Sequence, residues 1–206
     1  MSSSSLWGIN EKLYGEEILE FKNAWLFTPV ACDILFQKYL PQKINSPYGK
    51  RNYMAAIMFD NSIHRELNVK INNCGIQEDR IVWEMTNQQM FYVKDKQFIA
   101  DCVDKFLVTN KKFTGALGDH IFDRFSEIAK AILELDENEH SYFVFKNTSV
   151  DDGVEYWFET LNEETDEYEK RSLLDLDNYV TELVVVRDNC VDKFVSNTEL
   201  KSFLRL

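Results

Sequence analysis

The sequence predicts an α+β fold, with N-terminal helices and a long central helix packed on a C-terminal antiparallel β-sheet. Three observations carry this. Leu117, Ile121, Phe125, Ile128, Ile132 and Leu135 follow one another at steps of four, four, three, four and three, one apolar stripe along a helix. Tyr142-Phe143-Val144-Phe145 is apolar on both alternating faces, as in a strand buried on both sides. Helical periodicity with caps and stops dominates before this pair, and strand-and-turn patterns dominate after it.

Taken in order, the four serines at 2–5 read as a frayed start and residues 6–15 as an irregular lead-in. Residues 18–27, rich in aromatic and branched side chains, read as a strand or an extended arm. Thr28-Pro29 is a helix start, a hydroxyl cap followed by proline at the first helical position. That helix runs through Val30, Ile34, Leu35 and Tyr39 until Pro41 stops it. Residues 41–50 form a polar loop. A second helix is expected over 53–73, ending before Gly75, and a third over 78–91. Asp95 announces a fourth, which buries Phe98, Ile99, Cys102, Val103, Phe106 and Leu107. The polar tract 109–118, with two glycines, is a loop. One domain over 1–206 is expected; if the chain divides, this tract separates a mainly helical 1–112 from 113–206. Asp119 then caps the long helix, and Leu117 packs back on it from just outside.

Beyond residue 146, positions 154–161 fit a strand or a helix. Gly153 and Tyr156-Trp157-Phe158 favour the strand. Residues 162–167 are then the turn and 168–174 the returning strand. Residues 181–186 form another strand, Asp188-Asn189 a tight turn, and 190–195 the strand pairing back. Ser196 and Glu199 are spaced as a capping box for a last short helix ending at Leu204.

Composition narrows the function. With 45% hydrophobic and 14% aromatic residues among 206, a core is easily built. The net charge is −12, placed unevenly: residues 1–103 carry 11 basic and 12 acidic side chains, residues 104–206 carry 12 and 23. Such a field repels nucleic acid and anionic lipid and attracts basic protein surfaces, besides keeping a protein dispersed. Direct nucleic-acid binding is therefore not expected. The longest apolar runs, such as Met54-Ala55-Ala56-Ile57-Met58-Phe59, fall far short of the ~20 residues of a membrane span, so no membrane association is expected. Cys32, Cys74, Cys102 and Cys190 have no CxxC spacing. With no secretion signal at the start, they predict a reducing cytoplasm and buried thiols acting as small apolar side chains.

The search for chemistry ends without a catalytic motif. Asp119, His120 and Asp123 could be imagined around a metal, but no second histidine follows at helical spacing, and the trio reads as a helix end. His140 follows the acidic run at 134–139 and reads as part of a solvated loop; His64 reads as a surface or satisfied core position. Nothing marks Cys74 or Cys190 as a nucleophile. No GxSxG, P-loop or GxGxxG occurs. Glu20-Phe21-Lys22 has half of a metal-nuclease pattern, without the preceding aspartate. A protein without enzymatic activity, metal or cofactor is expected; a nuclease or other hydrolase assembled from scattered residues is the alternative.

One stretch stands out. Residues 151–169 hold nine carboxylates and no lysine or arginine, interleaved with Tyr156, Trp157, Phe158 and Tyr168. Asp151, Asp152, Glu155, Glu159, Glu163, Glu164, Asp166 and Glu167 are the candidate partner-binding residues. Carboxylates spaced along a hairpin pair with lysine and arginine of a basic partner, and exposed aromatics supply desolvated anchors. Along one strand face they recur about every 6.6–7 Å, close to the phosphate spacing of a nucleic-acid strand. The other reading is a solvated hairpin tip whose aromatics face the core.

Trp7-Gly8-Ile9-Asn10-Glu11-Lys12, Trp25-Leu26-Phe27-Thr28-Pro29 and Val150-Asp151-Asp152-Gly153-Val154-Glu155-Tyr156-Trp157-Phe158, together with the overall organisation, resemble small acidic accessory proteins of Gram-positive plasmids, conjugative elements and phages. Anti-CRISPR proteins that disable Cas9 and other counter-defence or host-takeover factors are among them. The resemblance implies a protein that binds a host or defence protein, such as a Cas nuclease, or RNA polymerase or a sigma factor, without a cofactor of its own.

Overall fold

The computed structural model describes residues 2–46, 49–115, 117–148, 157–173, 181–196, 199–200 and 202. The chain begins with a hairpin, β1 (Ser3–Ile9) and β2 (Gly15–Lys22). Its turn is held by Asn10, whose side-chain oxygen accepts from the backbone N–H groups of Lys12 and Tyr14. Helix α1 (Thr28–Tyr39) follows, then a two-stranded ribbon of β3 (Asn45–Ser46) and β4 (Gly49–Lys50). Helices α2 (Tyr53–Phe59), α3 (Ser62–Cys74) and α4 (Gln77–Thr86) lead to the short strand β5 (Met90–Tyr92). Helices α5 (Lys96–Thr109), α6 (Lys111–Thr114) and α7 (Asp119–Leu133) precede β6 (Tyr142–Thr148). A separate hairpin, β7 (Glu159–Asn162) and β8 (Glu167–Lys170), and a last one, β9 (Leu183–Arg187) and β10 (Cys190–Val195), complete the strands.

The fold is α+β, as the sequence predicts. Six strands form one sheet in the order β10-β9-β5-β6-β1-β2, antiparallel except where β5 runs parallel to β9. The alternation of side chains separates two cores. Leu6, Phe91, Phe143, Phe145, Val184 and Val191 face the helices. Trp7, Ile9, Met90, Tyr142, Val144 and Leu183 face the other way, where Leu13, Phe158, Leu173 and Leu200 cover them. This is why β6 is apolar on both alternating faces: Phe143, Val144 and Phe145 are each fully buried between the two covers.

The long helix buries the expected stripe: Ile121, Phe125, Ile128 and Ile132 are all inward, with Leu135 just beyond its end. It packs on α5 through parallel stacking of Phe106 and Phe125, and reaches the sheet through Phe27, which touches both Phe125 and Phe145. The helices are tied together by one buried charge: Asp79, fully buried on α4, accepts from Lys38, Tyr39 and Asn110 at 2.5, 2.6 and 2.7 Å. Three surrounding donors are what makes a buried carboxylate tolerable.

Several local expectations are corrected. Residues 3–9 are a central strand, not a frayed or irregular start. Ser4 and Ser5 are buried, and the indole N–H of Trp7 donates to Ser5 Oγ at 2.8 Å. Small hydroxyl side chains and burial on both faces hide the two-residue period. The segment 53–73 is two helices, because the Asp60 carboxylate accepts from both the N–H and the hydroxyl of Ser62 and restarts the chain there. The helix expected over 78–91 ends at Thr86; Gln88 turns with φ +57°, and Met90–Tyr92 is a strand. Within 109–118, residues Lys111–Thr114 form a short helix rather than a loop.

Neither Asp95 nor Asp119 caps through its side chain, and Thr28 instead donates its hydroxyl to Asn147. The returning strand of the acidic hairpin ends at Lys170, short of the expected 174. The Asp188-Asn189 turn has both residues left-handed, at φ +51° and +56°, as a two-residue hairpin requires. The capping box forms: Ser196 N–H donates to Glu199 at 2.9 Å, and Glu199 N–H to Ser196 Oγ at 3.3 Å. Cys32 and Cys102 are buried, whereas Cys74 and Cys190 are exposed.

Candidate functional sites: an acidic hairpin and a polar cavity

Of the eight predicted partner-binding residues, Asp151, Asp152 and Glu155 lie outside the described residues, as do Val154 and Tyr156 of the strand expected there. The other five share one hairpin. Glu159 starts β7, Glu163, Glu164 and Asp166 make the turn, and Glu167 starts β8. The turn is built by Asn162. Its carbonyl accepts from Asp166 N–H at 2.9 Å, and its side-chain oxygen accepts from Glu164 N–H at 2.9 Å. Asp166 takes φ +58°, a conformation that aspartate tolerates better than most residues.

The register sorts the side chains. Leu161 lies opposite Tyr168 on one face, both about half-exposed; Asn162 and Thr160 lie opposite Glu167 and Glu169 on the other. Only Glu167 and Glu169 therefore form a carboxylate pair along one strand face, and Glu163, Glu164 and Asp166 cluster at the tip instead. Among the described residues, no lysine or arginine forms an ion pair with Glu159, Glu163, Glu164, Asp166 or Glu167.

The hairpin's base is fixed to the sheet. Phe158 is buried and stacks on Trp7 at 4.7 Å between ring centres, so it is a core residue rather than a docking anchor. It sits over Gly15, where a Cβ would lie 2.5 Å from the ring. The Lys146 ammonium lies over the face of the half-buried Trp157 ring. Leu173 N–H donates to Leu13 C=O at 3.0 Å, and Ser172 Oγ donates to Lys12 C=O at 2.7 Å. The exposed anchors on the hairpin are thus Tyr168 and Leu161.

A second site escapes motif searching. A cavity of about 290 Å³ opens where α3 and α4 meet the ends of β9 and β10. Helix α3 contributes His64, Asn68 and Asn72, one residue per turn. The C-terminal end of α4 and the following turn contribute Glu84, Asn87 and Gln89. Glu182 and Phe194 close the other side. Glu84 is almost fully buried; Asn72 donates to it at 3.1 Å and to Asn68 at 3.0 Å. Trp83 Nε1 donates to Asn68 Oδ1 at 2.7 Å, and Glu182 N–H to Gln89 Oε1 at 2.6 Å. Asn72 Oδ1 is buried without a hydrogen-bond partner. Burial, reinforced by the Glu182 charge, pushes the Glu84 carboxyl up to about 7. Burial also holds His64 below the usual imidazole range, and its Nδ1 is 2.7 Å from the Tyr53 hydroxyl.

The sequence carried two signals for this cavity. His64, Asn68 and Asn72 recur at four-residue steps beside the apolar stripe of Ile63, Leu67 and Ile71. Glu84 interrupts the buried run Ile81-Val82-Trp83 before Met85.

His140 is also placed differently from expectation. It is buried, not part of a solvated loop, and its Nε2 is 2.9 Å from Glu16 Oε1. Donor atoms of Glu16, Glu139 and His140 lie within 4.8 Å of one another, the group among the described residues with spacing for a metal ion. The direct His140–Glu16 hydrogen bond, which ties the start of β2 to the segment before β6, accounts for this closeness. His120 and Asp119 are exposed at the start of α7.

No family model matches the sequence, and no curated protein or solved structure matches it either. What the fold and the sites define is an α+β protein with a projecting acidic hairpin and, apart from it, a polar cavity. No described helix is long and apolar enough to cross a membrane.

Proposed function

We propose that the protein is a non-enzymatic inhibitor that docks its acidic hairpin on the basic, nucleic-acid-handling surface of another protein, a Cas9-type nuclease being the leading partner. The observation that carries this is the hairpin of β7 and β8. It projects from a base pinned to the sheet, and five of its carboxylates have no described cationic partner. Solvated carboxylates at a tip attract lysine and arginine over several ångströms, and the adjacent Leu161–Tyr168 pair offers apolar surface to exclude water around them. A rigid base reduces the ordering cost on binding. The resemblance to acidic accessory proteins of mobile elements points to the same class of partner; RNA polymerase or a sigma factor is the alternative.

The test is capture of purified, guide-loaded Cas9 and, separately, of RNA polymerase holoenzyme, at low and high salt. The variant Glu163→Lys/Glu164→Lys/Asp166→Lys/Glu167→Lys keeps the fold and loses capture. The parent protein binds at low salt and releases as salt rises, because exposed charges are screened within about 10 Å at 0.1 M. A salt-insensitive complex untouched by the reversal overturns the reading.

A further inference from the structure

We infer that the cavity between α3, α4 and the ends of β9 and β10 is a binding site for a guanidinium group. Three observations lead there independently of the hairpin. Its acidic members come from separate elements: Glu84 on α4 is almost fully buried, and Glu182 precedes β9. A buried acceptor, Asn72 Oδ1, has no donor, and such an atom costs stability unless a ligand or water satisfies it. The ring of Phe194 lines the same space, and a planar cation gains from an aromatic face.

The chemistry selects the ligand. Two carboxylates, an orphan carbonyl oxygen and an aromatic wall suit a flat cation with several N–H donors directed outward in one plane. An anion would meet the Glu182 carboxylate and, as pH rises past about 7, the Glu84 charge as well. The cation already nearest, Arg80, lies one turn before Glu84 on the same helix and acts on it at a distance; among the described residues it forms no ion pair with Glu84. His64 faces the cavity from α3 and, held below the usual imidazole range, adds no positive charge near neutral pH. A divalent ion fits less well, since the three-donor metal grouping among the described residues lies elsewhere, at Glu16, Glu139 and His140. The volume, about 290 Å³, accommodates a guanidinium and a short alkyl stem.

The guanidinium can belong to a free metabolite or to an arginine side chain of another protein. Titration calorimetry on the full chain with agmatine, with N-acetyl-arginine amide and with magnesium or calcium chloride distinguishes these. Agmatine binding at one site per chain, lost in Glu182→Gln and in Glu84→Gln, supports the proposal. Equal binding of the blocked arginine assigns the group to a side chain, and binding of agmatine alone assigns it to a free amine. Affinity rises about tenfold between about pH 6 and pH 8, as the Glu84 carboxyl loses its proton to solvent and its charge becomes available to the cation. Glu182 is only partly buried, so its glutamine variant folds even if that of Glu84 does not. No binding of either guanidinium compound, binding untouched by Glu182→Gln, or a response to the divalent ions alone overturns the inference.

Discussion

The imidazole of His140 occupies the space that a side chain on Gly8 would need: a Cβ built on Gly8 would lie 2.5 Å from the ring. Gly8 is on the central strand β1 and His140 sits just before β6, so this contact lets the two strands pair while a buried ring lies across them. Gly8→Ala is expected to destabilise the fold by about 1–3 kcal/mol through overpacking. Adding His140→Ala should recover part of that loss. Urea denaturation of the two single variants and the double variant measures the coupling; strict additivity would contradict it.

Glu84 makes stability depend on pH in an unusual direction. Its carboxyl is near 7 in the folded protein against an ordinary value of 4.5. Below about pH 4.5 both folded and unfolded chains hold the proton. Between there and about 7 only the folded chain keeps it, so stability falls as pH rises through that window. The loss by about pH 8 is on the order of 3 kcal/mol. Glu84→Gln should lack it, and its stability relative to the parent should grow by that amount across the range. Parallel denaturation curves at all pH values would refute the assignment.

The cysteines divide into two exposed and two buried thiols. Burial pushes Cys32 and Cys102 up to about 12, whereas Cys74 and Cys190 are exposed. A thiol-disulfide indicator should titrate Cys74 and Cys190 in the native protein and reach the other two only in denaturant. Native reaction at all four sites would show that the core opens readily.

Leu161 and Tyr168 face one another across the acidic hairpin with about half of their surface in solvent. Replacing both by alanine should lower folding stability by about 1 kcal/mol or less, the scale of a half-exposed cross-strand pair. It should nevertheless weaken capture of a basic partner, if these side chains exclude water around the carboxylates. A large drop in melting temperature would instead make the pair part of the fold.

The elements legible in the sequence are those whose signal is local. The stripe from Leu117 to Leu135, the left-handed Asp188-Asn189 turn and the Ser196–Glu199 box each depend on residues a few positions apart. The missed elements depend on distant partners. Strand β1 is read as irregular because its serines and its burial on both faces blur the alternation, and that burial depends on β6, far along the chain. Likewise Met90–Tyr92 continues a helix-like pattern until β6 and β9 pair with it. The acidic hairpin was legible from its turn composition, with its aromatics read as either docking anchors or core; Phe158 is core, and distant Trp7 and Gly15 decide it. The cavity has the same character: the steps His64, Asn68 and Asn72 are visible on one helix, but Glu182 joins them only through the sheet.

The parallel pairing of β5 with β9 places Met90 beside Leu183. During synthesis, the helices between residues 28 and 133 can collapse as they leave the ribosome, but β9 and β10 join the sheet only when residues 183–195 appear. Until then the outer edge of β5 presents an unmatched rim of backbone donors and acceptors. A chain cut short before residue 183 would keep that rim permanently open, turning a nascent intermediate into a template for self-association.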